Sequence, residues 1–218
     1  GYGAGTTHSI TMIHTGPIQN ECASFQNAGR IVIQSPINGS NDQYIVGNTL
    51  AYGSRGGERF VQGSVGDRCC VRETAGLSVI TGNTGKYFAG YKTGGRDIVL
   101  GELGNAVGAG MSGGEIYCRD PEIASKLEEG TIISKVLREK DLEQIYRDLL
   151  SFWESTHDPE VDQILQNWQK EKLKFKKVIA ESSYGTRTTE FLFAAAINNQ
   201  ELTQEQQDIV NRNRELIN

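Results

Sequence analysis

The chain has 218 residues, a formal net charge of −5 and a pI near 5.3, so it offers no basic footprint for nucleic acid. No apolar run approaches the length of a membrane span and no signal peptide opens the chain, so a soluble cytoplasmic protein with no membrane partner is the expectation. Four cysteines (Cys22, Cys69, Cys70 and Cys118) without CxxC spacing, beside three histidines, argue against a disulfide framework and against zinc or iron–sulfur sites; buried thiols and no metal are expected.

The first half of the chain repeats every nineteen residues. Gly47, Gly66, Gly85 and Gly104 fall at one phase, Gly57, Gly76, Gly95 and Gly114 at a second, and Gly63, Gly82 and Gly101 at a third. Phe60, Val79, Ile98 and Tyr117 keep the same period, and so do Val61, Ile80, Val99 and Cys118 one step later. Ala28-Gly29 and Val32-Ile33 extend the pattern upstream if about nine residues around Pro36 to Tyr44 bulge out as a loop, which gives roughly six coils up to residue 122. A nineteen-residue contour of about 60 Å is too short for two packed helices and suits a closed coil of short strands with glycine corners. Segments such as Arg30–Ile33 and Asp97–Leu100 have strand composition. The expected fold is mainly β: a parallel β-helix over 1–122, then an α-helical extension over 123–218.

Consecutive strand residues point to opposite faces, so the two adjacent apolar phases cannot both line the coil interior. One set forms an outer apolar stripe. The helical extension is expected to cover part of it through Leu149, Phe152, Ile164 and Trp168, with the remainder left as a docking surface.

Beyond Cys118 the glycines thin out. Leu142, Ile145, Leu149 and Phe152 make a helical stripe within Asp141–Glu154. Asp158-Pro159-Glu160 has the form of a helix start, followed by Val161, Ile164, Leu165 and Trp168. Lys170 to Lys177 reads as a solvated face. Thr188–Ile197 is apolar enough for a packed helix, and Thr203 with Gln206 resembles a capping box.

Gly108-Ala109-Gly110-Met111-Ser112-Gly113 matches GxGxxG, but strand-like Glu115–Cys118 follows where a dinucleotide site needs a helix; the glycines read as coil corners. Cys22 with His8 or His14 has no spacing that supports a nucleophile–base pair. Arg68, Arg72 and Arg96 read as a solvating set before an anion site, and Asp67 with Glu73 does not read as a catalytic pair. No catalytic, cofactor-binding or metal site is assigned to any residue.

The runs Gly47-Asn48-Thr49-Leu50-Ala51-Tyr52-Gly53, Gly56-Gly57-Glu58-Arg59-Phe60 and Gly108–Gly114 resemble the C-terminal domain of the glutamate synthase large (alpha) subunit, called GXGXG, a right-handed β-helix. Leu149–His157, Ile164–Trp168 and Lys174–Val178 resemble the helical part that follows in the same family. The resemblance covers roughly 29–180. The complete enzyme hydrolyses glutamine at an N-terminal cysteine and makes glutamate from 2-oxoglutarate in an FMN and iron–sulfur barrel. This chain begins with Gly1, which reads as a separate subunit or a fragment, and it has no room for a barrel of about 250 residues. The resemblance therefore implies a scaffold without cofactors of its own that positions glutaminase and FMN synthase parts, with homo-oligomerisation open. The alternative is a β-helix subunit of another assembly, of the N-methylglutamate synthase or formylmethanofuran dehydrogenase type; an independent enzyme is the reading from a different class.

Overall fold

The computed structural model describes residues 1–36, 44–133 and 137–183. Residues 1–180 form one compact unit and 181–218 a second, of which 181–183 are described. Thr188–Ile197, the Thr203–Gln206 box and most of the Pro36–Tyr44 insertion lie outside the described residues.

Short β-branched segments between glycine turns build the first unit. In chain order they are β1 (Thr11–Thr15), β2 (Arg30–Gln34), β3 (Tyr44–Val46), β4 (Arg55–Val61), β5 (Ser64–Val65), β6 (Ala75–Ile80), β7 (Thr93–Val99) and β8 (Gly113–Cys118). After them come β9 (Thr131–Ile133), α1 (Glu139–Thr156), α2 (Pro159–Gln166), the short α3 (Trp168–Glu171) and β10 (Lys176–Ala180). The order across the main sheet is β1-β2-β4-β6-β7-β8-β10-β9, parallel from β1 to β8 and antiparallel at β10. β3 and β5 pair separately as a second wall. The six parallel strands mark about five turns of a β-solenoid, in which each coil lays one strand beside its predecessor.

Register follows the repeat. Val32, Phe60, Val79, Ile98 and Tyr117 are partners on successive strands, and so are Ile33, Val61, Ile80, Val99 and Cys118. The step from β2 to β4 is longer, Arg30 pairing with Glu58, as the insertion requires. The Val61 set lies in the coil interior with Ile31, Leu50, Phe88 and Val107. The Phe60 set faces outward and is covered by Ile145, Leu149 and Phe152 of α1, Val161 and Ile164 of α2, and Phe175. Trp168 packs against the same cluster and is partly buried. The Phe60 and Phe152 rings meet edge to face at 5.4 Å.

Two expectations are corrected. The outer stripe is closed along its length: from Val32 to Tyr117 no member is more than 1% exposed, and only Ile13, the partner of Val32 on β1, stands open at 60%. The Lys170–Lys177 run is also not a solvated face throughout. Lys177 is buried, reaching Glu115 and Asp141 and lying over the Tyr117 ring, because β10 inserts this segment beside β8.

The helix starts behave as their residues dictate. The Asp158 carboxylate accepts from the Glu160 and Val161 N–H groups at 2.9 and 3.1 Å, and Pro159 takes the first turn, where no donor is needed. Asp141 accepts from the Arg138 N–H at 2.9 Å at the start of α1. His157 in the left-handed region ends that helix.

Between the strands the coils turn through a third face that composition alone does not announce. Arg68, Cys70 and Arg72 have φ of 58, 58 and 56°, and Tyr87, Ala89 and Tyr91 have 59, 56 and 54°. Such residues rarely adopt this state. Inter-coil hydrogen bonds hold them there: Arg68 N–H donates to Lys86 O and Arg72 N–H to Gly90 O in the following coil, while Cys70 N–H donates to Leu50 O in the preceding one. Side chains brace the same edge, with Asn48 Oδ1 accepting from Asp67 N–H and Asp67 Oδ1 from Lys86 N–H.

Candidate functional site

The densest collection of reactive groups among the described residues lies inside the solenoid. Two positions of the repeat supply it. Glu73 and Lys92 occupy successive coils at one phase; Arg59, Ser78 and Asp97 occupy successive coils at another, on β4, β6 and β7. All five are fully buried. Arg59 bonds Glu73, and its Nη2 also donates to Ser78 Oγ at 3.0 Å. Lys92 bonds Glu73 and forms an ion pair with Asp97 Oδ2 at 2.9 Å. Cys70 Sγ lies 3.4 Å from Ser78 Oγ.

Glycine makes room for this cluster. A Cβ on Gly76 would stand 2.6 Å from an Arg59 guanidinium nitrogen, and one on Gly95 would stand 3.2 Å from the Glu73 carboxyl carbon. Both glycines have positive φ, at +121 and +78°. They are corners, as the repeat implies, and the space they leave is filled by the buried charges.

The electrostatics follow from burial. Desolvation and the Asp97 carboxylate push Glu73 up to about 7 against the pull of Lys92 and Arg59. Burial pulls Lys92 down, but Asp97 and Glu73 outweigh it and hold the ammonium above its ordinary range. Burial pushes the thiols of Cys22, Cys69 and Cys118 up to about 12, and that of Cys70 well above its ordinary value. Cys70, Glu73 and Asp97 offer donor atoms within 4.8 Å of one another, the spacing of a metal site. The place a cation would take is already served by Lys92 and Arg59, whose two charges balance the two carboxylates. The arrangement can neutralise and brace the interior; it reaches no solvent through which a substrate would approach.

The other groups weighed in the sequence are dispersed. Cys22 is buried in the coil core. His8 is exposed beside Thr7, and the His14 ring packs on Tyr2 at 5.3 Å. Arg96 leaves any set with Arg68 and Arg72 to bond Asp148 on α1 at 2.6 Å. Asp67 serves the backbone of the outer edge while Glu73 lies inside, so the two form no pair. Gly113 of the GxGxxG run opens strand β8, which denies it the helix that a dinucleotide cradle needs. Sequence reading missed the Arg59–Glu73–Lys92–Asp97 cluster. Its one signal was the period itself: charged residues recur at phases that neighbouring coils fill with Ile31, Ile116 and Met111.

The glycine-cornered solenoid and the helices along its face lie within the match to one family model, that of the GXGXG motif, which covers residues 2–181. The chain belongs to the GXGXG family. Among curated relatives of this GXGXG chain are the ferredoxin-dependent glutamate synthase of Antithamnion sp., 33% identical over 187 residues, and the glutamate synthase [NADPH] large chain of Bacillus subtilis, 29% identical over 188. Each alignment takes in 83% of this chain and 12% of the relative. The chloroplastic ferredoxin-dependent glutamate synthase of Spinacia oleracea is 42% identical over 98 residues, 45% of this chain and 6% of that protein. The GXGXG chain is thus related to one part of glutamate synthases and spans about an eighth of the length of the first two relatives.

Proposed function

We propose that the chain is a non-catalytic scaffold in a glutamate-synthase-like assembly, where it holds glutaminase and FMN-dependent synthase parts in position for glutamate formation. The observation that carries this reading is the sealed interior: Arg59, Glu73, Lys92 and Asp97 are fully buried and paired with one another, so the strongest chemical groups brace coils and face no substrate. That relatives covering 83% of the chain are named glutamate synthases supports such an assembly. Free, buried cysteines suit the reducing cytoplasm, and among the described residues no helix is long and apolar enough to cross a membrane.

The test is a pull-down of the tagged chain from native extract, with mass and flavin content measured on what it captures. A flavin-bearing partner that turns over glutamine and 2-oxoglutarate is the expected result, with the isolated chain colourless near 450 nm and inactive. Turnover or stoichiometric flavin in the isolated chain would sink the scaffold reading. A captured partner from another redox or amidotransferase assembly would redirect it.

A further inference from the structure

The left-handed face of the coils carries a second surface, separate from the stripe under the helices. Arg68 and Tyr87 sit at one phase of the repeat there, and Arg72 and Tyr91 at another. All four are exposed. Because the four share one backbone state and their coils are hydrogen-bonded in register, each guanidinium lies over the ring one coil on: Arg68 is 5.9 Å from the Tyr87 centroid and Arg72 is 5.9 Å from that of Tyr91. Gly110 seats the Tyr91 ring, since a Cβ there would stand 2.8 Å from ring carbons. Tyr87 and Tyr91 remain 47% and 61% exposed.

The two arginines of this face make no ion pair. Arg30, Arg59, Arg96, Arg119 and Arg147 each meet a carboxylate, whereas among the described residues Arg68 and Arg72 meet none. Asp67, beside Arg68 in the chain, is turned to the backbone, its Oδ1 accepting from Lys86 N–H at 2.8 Å. A chain of net charge −5 therefore presents two guanidiniums without an ion pair, four residues apart in one coil and each over a tyrosine ring of the next. A guanidinium stacked on a ring keeps its N–H edge open for a carboxylate. Arg and Tyr are also the residue types that dominate the energetics of protein interfaces.

We infer that the Arg68–Tyr87 and Arg72–Tyr91 pairs form the docking surface for an acidic segment of a partner protein, whose carboxylates accept from the two guanidiniums while its neighbouring side chains pack on the two rings. The inference rests on the scaffold reading for the need of a partner, and on these four side chains for the place and the chemistry.

The probe is a capped hexaglutamate peptide titrated into the full chain, with hexaglutamine and tripolyphosphate as controls. Saturable binding of hexaglutamate is expected, weakening several-fold as ionic strength rises from about 0.05 to about 0.5 M. The double variant Arg68→Gln/Arg72→Gln should bind about tenfold more weakly with an unchanged melting temperature. Arg68→Lys/Arg72→Lys should recover only part of the loss, because an ammonium lacks the planar fork and the stacking. No binding by the parent chain, equal binding by the Gln variant, full binding by the Lys variant, or preference for tripolyphosphate would each overturn the inference. So would self-association of the chain abolished by the Gln substitutions, since the occupant would then be a second copy. The peptide assay contains no glutamate-synthase-type partner, so its failure removes this surface and leaves the pull-down to judge the scaffold reading.

Discussion

Gly95 shows what the repeat demands of single residues. Its φ of +78° and the Ala75 carbonyl carbon 3.1 Å from a would-be Cβ leave no room for a branched side chain. Gly95→Val should destabilise the chain by about 2 kcal/mol or more, read as a lowered denaturation midpoint; a midpoint equal to the parent's would refute the corner. The thiols allow a second check. With Cys22, Cys69 and Cys118 pushed up to about 12 by burial, and Cys70 also raised, the native chain should resist a thiol reagent at pH 8, and all four should react once denatured. Glu73 gives a pH dependence. Its folded value of about 7 lies above its ordinary 4.5, so the native state holds the proton more tightly than the unfolded state. Its contribution to stability is therefore fully present below about 4.5 and is lost as pH rises through about 7. Melting temperatures measured from pH 4.5 to 8 should decline more steeply for the parent than for Glu73→Gln; parallel curves would contradict the assignment.

At the scale of elements, α1 and α2 act as a cover for the sheet's outer face. Phe152 and Leu149 lie on the Phe60–Val79–Ile98 row, and Arg30 ties the end of α1 to β2 through Ser151 and Ser155 at 2.9 and 3.0 Å. Phe152→Ala removes the ring that meets Phe60 and should cost about 3–5 kcal/mol, with binding of an apolar dye rising as the stripe loosens. A variant as stable and dye-silent as the parent would show that the helix is not the cover. The periodic spacing of Leu142, Ile145, Leu149 and Phe152 made this helix legible, and the alternation of two apolar phases made the need for a cover legible. β10 was not legible, because Lys176–Ala180 carries no alternation of its own; it is a strand because β8 offers it an edge.

For the molecule as a whole, cutting the chain after residue 122 removes α1, α2 and β10 together. The Phe60 row and the outer edge of β8 would then face water. Aggregation or strong dye binding is the expected outcome, and a soluble, monomeric, dye-silent product would contradict it. The same cut leaves the Arg68–Tyr87 face on the solenoid.

The nineteen-residue period by itself determined the solenoid, the strand register and the two apolar rows, because a repeat with fixed length forces equivalent residues into neighbouring coils. Asp158-Pro159 likewise determined a helix start, through local chemistry that needs no distant partner. Tertiary structure decided which row faced inward, since alternation states only that the two rows differ. It also decided the pairing of Glu73 with Arg59 and Lys92, fourteen and nineteen residues away in the chain, which meet only when coils stack. The left-handed state of Arg68, Arg72, Tyr87 and Tyr91 belongs to the same class. Their side chains disfavour that state locally, and only the hydrogen bonds between coils overrule the preference.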